Sequence, residues 1–143
     1  MYVQQISVFI ENQPGKLAEF AELLGREGID LVALSIADTT NFGILRCIVC
    51  DYERAAKIIG EAGYTARVTD VLAVSVPDKP GGMAQAVRAL TDAGISIEYL
   101  YSFVRSAGNN ALLIFRVDKL DEAYRVLQAS GVKLITQEQV RTL

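Results

Sequence analysis

Histidine and tryptophan are both missing from this 143-residue chain, which also has only two cysteines and three prolines. Without histidine, no serine–histidine or cysteine–histidine nucleophile pair can be assembled, and the commonest transition-metal ligand is absent. Carboxylates such as Glu19, Glu22, Glu61 and Glu122 are scattered over expected helix faces. Nothing in their spacing brings a pair onto one buried site, and a solvated face accounts for them. No catalytic residue, metal site or cofactor is expected.

An excess of basic charge is also lacking. The formal net charge is -3 and the pI about 5.0, so no positive field exists to neutralise phosphates or hold an anionic membrane. Neither nucleic acid nor membrane is expected as a partner. No stretch approaches the roughly 20 apolar residues of a membrane span, and the start MYVQQISVFIENQPG has neither the basic nor the apolar region of a secretory signal. A cytoplasmic location is the expectation. Cys47 and Cys50 lie in one apolar run, three residues apart. On a strand that spacing turns the thiols to opposite faces, so they cannot share a metal or close a disulfide, and they read as structural thiols.

What the chain does have is apolar residues for a core, 51% against 22% charged, and an internal repeat. Residues 6–34 (ISVFIENQPGKLAEFAELLGREGIDLVAL) align without a gap on residues 72–100 (LAVSVPDKPGGMAQAVRALTDAGISIEYL), at an offset of 66 that sets Pro14 on Pro80. Further along the offset is 68, setting Gly63 on Gly131, so the second copy has two extra residues near 106–110. An insertion there marks a surface hairpin loop.

Each copy runs through the same succession of periodicities. Ile6, Val8 and Ile10, like Leu72, Val74 and Val76, alternate as in a strand. Leu17, Phe20 and Leu24, like Met83, Val87 and Leu90, recur at helical spacing and predict one buried face. Gly28 and Gly94 can end these helices in the left-handed conformation. Strands are expected at 30–38 and 96–104, then the most apolar ones at 44–50 and 111–117, helices at 52–62 and 120–130, and closing strands at 65–69 and 133–136. The order βαββαβ, twice, is an α+β ferredoxin-like arrangement, with helices on one face of an antiparallel sheet. Two domains follow, 1–70 and 71–143, with so short a linker near Asp70 that they must pack rigidly through an approximate two-fold.

The strongest local signal is the turn from first strand to first helix, Asn12-Gln13-Pro14-Gly15-Lys16-Leu17 and Asp78-Lys79-Pro80-Gly81-Gly82-Met83. Glycine at a helix start allows a ligand to approach the unpaired amides, which with the helix dipole form an anion cradle. A carboxylate held there, with an ammonium group beside Asn12 or Asp78, describes an α-amino acid. The same residues also make a good helix start with no ligand at all, and duplication copies either kind of turn.

A βαββαβ unit with (Asp/Asn)-x-Pro-Gly-x-(Leu/Met) at its first strand–helix junction, and Gly-Ile after that helix, resembles the ACT domain over nearly the whole chain. The resemblance implies a regulatory module that binds an amino acid or related small molecule between two ACT units. It implies contacts from the junction loop of one unit and the second strand of its neighbour. Carried over, these are Asn12, Gln13, Pro14, Gly15, Lys16 and Leu17 with Leu100, Tyr101 and Ser102. Reciprocally they are Asp78, Lys79, Pro80, Gly81, Gly82 and Met83 with Leu34, Ser35 and Ile36. ACT units usually accompany a catalytic or DNA-binding domain, and neither is seen here, so action on a separate metabolic enzyme is one expected output. One or both sites are open as functional, since Asn12 stands opposite Asp78 and Lys16 opposite Gly82.

Tyr99, Tyr101 and Phe103 alternate along one strand and share a face. They are either a homodimer surface on the helix-free side or filling beneath the helices. Other uses of this fold fit poorly. The third strands lack the aromatic and basic residues of an RNA-recognition domain, the first loops lack the cysteines of a metallochaperone, and Lys16 or Lys79 is a poor replacement for a phosphate-holding arginine. The runner-up to a ligand sensor is a purely structural or protein-interaction subunit.

Overall fold

The computed structural model describes residues 2–38, 41–105 and 108–143. The alternating residues of the first repeat form β1 (Val3–Glu11), with Ile6, Val8 and Ile10 on one face and Val3, Gln5 and Ser7 on the other. It is followed by α1 (Lys16–Arg26), β2 (Leu31–Asp38), β3 (Phe42–Val49) and α2 (Tyr52–Glu61). Then come β4 (Ala66–Pro77), α3 (Gly82–Asp92), β5 (Ile97–Ser102), β6 (Asn110–Val117), α4 (Leu120–Ala129), β7 (Lys133–Ile135) and α5 (Gln137–Arg141). Gly28, Gly63, Gly94 and Gly131 all have positive φ, between 69° and 92°, just past a helix end, as the turn there requires. The extra residues of the second copy fall in the β5–β6 connection, where 106 and 107 lie outside the described residues.

Both units have the expected element order, but they are joined differently. Asp70 is not in a linker: β4 runs straight through it. Its first half pairs with β1, from Val8↔Ala66 to Val3↔Val71, and its second half pairs with β6, from Leu72↔Phe115 to Pro77↔Asn110. With β7 also on β4, one seven-stranded sheet results, in the order β2-β3-β1-β4-β6-β5. The sheet curls until its outer strands touch, at a bridge between Ala33 and Phe103 and through Val104 N–H donating to Val32 O at 2.9 Å.

Three cores follow from that curl. In the first unit α1 and α2 cover Ile6, Val8, Leu45 and Cys47 with Phe20, Leu24 and Ile59. In the second, α3 and α4 cover Leu72, Val74 and Phe115 with Ala86, Leu90 and Leu127. The third lies where the helix-free faces meet, and joins Val3, Val32, Ile48 and Val71 to Ala73, Tyr101, Phe103 and Ile114. Each large apolar side chain so buried stabilises the fold by about 1.5–3 kcal/mol before entropy is counted.

The aromatic stripe is therefore neither a dimer surface nor helix-covered. It lies on the helix-free face, and the first unit of the same chain covers it. Polar groups cross the same seam. Gln5, fully buried, donates from Nε2 to the Tyr99 hydroxyl at 2.7 Å and accepts from the Tyr101 hydroxyl at 2.7 Å. The Arg46 guanidinium sits 3.8 Å from the Tyr99 ring centre. Burial, the largest cause, pushes the Tyr101 hydroxyl above its ordinary pKa, so it stays a donor.

Two further findings depart from the periodicities. Leu17 and Met83, expected on buried helix faces, are each 43% exposed, and the buried face is carried by Phe20 and Leu24 or by Gly82, Ala86 and Leu90. The chain also ends in a helix, α5, that buries Val140 against the inter-sheet core. Its capping box, Thr136 with Gln139, was available as a sequence signal. Among the described residues no helix is long and apolar enough to cross a membrane. Cys47 faces the first helix core and Cys50 the inter-sheet core, both as free thiols, and burial pushes the Cys47 thiol up to about 12.

Candidate functional site

Both junction loops end in a glycine N-cap of left-handed conformation, Gly15 at φ 91° and Gly81 at φ 83°, with Pro14 and Pro80 just before. Neither helix has a side-chain cap, so neither Asn12 nor Asp78 acts as an N-cap. The turn itself uses one amide in each copy: Lys16 N–H donates to Gln13 O at 3.2 Å and Gly82 N–H to Lys79 O at 2.9 Å. In α1 the next bond is Glu19 N–H to Gly15 O at 2.9 Å, so the amides of Leu17 and Ala18 have no acceptor inside the helix. In α3, Ala84 N–H already donates to Gly81 O at 3.1 Å. That tighter turn leaves Met83 alone.

Around the first tip lies a cleft of about 390 Å³, lined by Ile10, Glu11, Asn12, Gln13, Pro14, Leu17, Ile36 and Gly43, within the usual size range for a small-molecule site. Asn12 Nδ2 donates to Asp38 Oδ1 at 2.7 Å, which orients the Asn12 amide and adds a carboxylate at the rim. Gly43 keeps the floor low. A Cβ there would lie 3.1 Å from Asn12 Oδ1 and 3.2 Å from Ile36 Cγ2. Sequence reasoning missed Ile10 and Glu11 of the lining, and also Asp38 and Gly43. The repeat counterparts of the last two, Val104 and Ala111, differ in charge and in size, and that contrast was the available signal.

The second tip is built more tightly. Gly82 is pressed so close to β4 that a Cβ would fall 1.9 Å from Pro77 O, whereas Lys16 carries a side chain at the matching place. Asp78 lines a cleft of about 260 Å³ with Ser102, Phe103, Val104, Arg105, Ala111 and Leu112. Arg105 is already engaged by Asp30 and by Leu143 O.

The structure thus groups Asn12, Gln13, Pro14 and Leu17 with Ile36, and Asp78 with Ser102, each within its own unit. Within one chain it does not bring either loop to the second strand of the other unit, because the helix-free faces turn inward and the helix tips outward. Lys16 borders a neighbouring cleft with Phe9, Phe42 and Tyr64. Lys79, Gly81, Gly82 and Met83 border a groove of about 760 Å³ along α3. Leu34 packs toward the first helix core, Leu100 is exposed, and Ser35 pairs across from Arg46. Tyr101 belongs to the inter-sheet core. Among the described residues no group of histidine, cysteine, aspartate or glutamate side chains is placed to hold a metal ion.

A family model described as an ACT domain pair matches residues 1–143. No curated protein is similar to the chain. A protein of known crystal structure from Bacteroides thetaiotaomicron superposes with a TM-score of 0.92 at 36% identity, over 100% of this chain and 98% of that one. The ligand-free regulatory subunit of aspartate kinase from Thermus thermophilus superposes with a TM-score of 0.64 at 19% identity, over 89% and 91% of the two chains. The corresponding subunit from Thermus flavus gives 0.58 at 18% identity, over 92% and 94%.

Proposed function

The chain belongs to the ACT domain pair family, and on that premise we propose that it is a non-catalytic sensor of a free amino acid, bound at the tip of α1 in the first unit. The observation that carries the reading is the cleft beside that tip, where groups of opposite preference stand a few residues apart. The amides of Leu17 and Ala18 and the positive end of the helix suit a carboxylate. Asn12 Oδ1 and the Asp38 carboxylate suit an ammonium. Exposed Leu17 and Ile36 offer apolar contact for a side chain.

The second unit supports only a weaker version of this site, with one helix amide fewer and Gly82 drawn onto Pro77. One ligand per chain is therefore the proposed stoichiometry. The proposed output is contact with a metabolic enzyme that the bound ligand strengthens or weakens.

A thermal-shift screen of the free amino acids tests the reading, since a ligand that binds only the folded state raises the melting temperature. At least one should give a saturable rise, with one site by calorimetry. Asp38→Asn should weaken that ligand by about tenfold, the value of one charge-assisted contact. No response to any amino acid would leave the structural or protein-interaction subunit as the better account.

A further inference from the structure

The repeat builds one more hollow twice, at the end of each unit, between the start of its first helix and the turn that follows its second. It is a cleft of about 370 Å³ in the first unit and of about 240 Å³ in the second. Apart from Ala62, every residue lining the larger cleft has its repeat counterpart lining the smaller. The backbone is common and the lining is not. Phe9, Phe42 and Tyr64 stand where the second unit has Ser75, Asn110 and Val132, and Glu11 and Glu19 stand where it has Pro77 and Gln85. Aromatic rings and carboxylates therefore meet in the first cleft and are missing from the second, whose charged lining residue is Lys133. Phe9 and Phe42 are 50% and 47% exposed, so core packing does not account for them. Tyr64 is held edge-on against Phe20, with ring centres 5.3 Å apart. Among the described residues Glu11, Lys16 and Glu19 form no ion pair with one another or with any other side chain.

We propose that the larger of these clefts takes a small organic ammonium ion carried on an apolar frame. An ammonium is attracted to the face of an aromatic ring as well as to a carboxylate, and the rings that attract it also cover the carbon frame beside the charge. A hydrated metal ion would use the carboxylates and leave the rings without a role, and among the described residues no group of acids is placed to hold one. An anion would meet Lys16 and be opposed by Glu11 and Glu19. Lys16 is the cation already in the lining, so it competes with the ligand for the carboxylates. That competition gives the proposal a sign: removing the Lys16 charge favours a cation and disfavours an anion. The volume lies within the usual range for a small-molecule site. This cleft shares only Ile10 and Glu11 with the one at the tip of α1, so the proposal does not depend on an amino acid binding there. The smaller cleft of the second unit, without rings or acids, is an internal control.

Titration of the isotope-labelled whole chain with benzylammonium, and with benzyl alcohol and benzoate as its neutral and anionic counterparts, tests the assignment by nuclear magnetic resonance. Benzylammonium should shift the amide signals of Gly63, Tyr64 and Thr65 saturably and bind about tenfold more tightly than either counterpart. Phe9→Ser and Glu19→Gln, which give exposed positions the second unit's residues, should each weaken it about fivefold, with the fold checked by circular dichroism. Lys16→Met should tighten it about threefold. Asp38→Asn, at the other cleft, should leave it as it was. No saturation by benzylammonium, benzoate binding as tightly, unchanged affinity in Phe9→Ser and Glu19→Gln, weaker binding by Lys16→Met, or a loss in Asp38→Asn would each overturn the proposal.

Discussion

The two helix tips began as one sequence and now differ in how much room they keep. In the first unit Lys16 follows the capping glycine, Gly43 floors the cleft, and Asn12 is tied to Asp38. In the second, Gly82 lets the loop settle against Pro77, Ala111 replaces the floor glycine, and Val104 stands in place of the carboxylate. A glycine therefore has opposite consequences at the two ends. At Gly43 it keeps a space open, and at Gly82 it lets a space close. The backbone turn is common to both copies, while the side chains around it differ.

The contrast can be broken most forcefully at Gly82. Gly82→Ala sets a methyl group against backbone, with nothing flexible to yield, and should cost about 3 kcal/mol or more in denaturant unfolding. Lys16→Ala, its counterpart, should stay within about 0.5 kcal/mol. Equal losses at the two positions would show that the tips are built alike. Next in size is Gln5→Leu, which strands the Tyr99 and Tyr101 hydroxyls in the seam between units and should cost about 2 kcal/mol. Unchanged stability would mean the polar bridge adds nothing to the apolar seam.

Gly43→Ala sharpens the comparison without unfolding anything. Its methyl group crowds only side-chain atoms, Asn12 Oδ1 at 3.1 Å and Ile36 Cγ2 at 3.2 Å, and reaches the Ile10 carbonyl oxygen at an ordinary 3.7 Å, so the melting temperature should hold while any amino-acid response weakens by about tenfold. Ala111→Gly in the second unit should leave that response as it was. The smallest effect is chemical: Cys50, half-buried, should alkylate in the folded protein while Cys47, with its thiol pushed up to about 12, should not. Equal labelling would show that the first core opens as readily as the seam.

Element order was legible because alternation at Ile6, Val8 and Ile10, helical spacing at Phe20 and Leu24, and glycine helix ends are local properties. What escaped was set by non-local contact. Asp70 looked like a linker because one exposed acid interrupts an apolar run, yet a strand can pass through it, with the Asp70 carboxylate accepting from Gln4 and its carbonyl oxygen from Arg116. Leu17 and Met83 fit a helical spacing but lie on its outer margin, a matter of angle that a list of apolar positions does not resolve. Tyr99, Tyr101 and Phe103 were correctly placed on one face, but their cover comes from residues nearly a hundred positions away. The candidate loops were readable for the same local reasons as the helices, while Asp38 and Gly43 enter only through the pairing of β2 with β3.

Strand β4 serves both halves with one unbroken backbone. Neither half can be excised, swapped or reordered like a bead on a string, because a cut along Ala66–Pro77 breaks the one strand that carries the pairing of the first half into that of the second. Melting should accordingly be a single cooperative event, and tightening at one end of the chain will be read as heat resistance at the other.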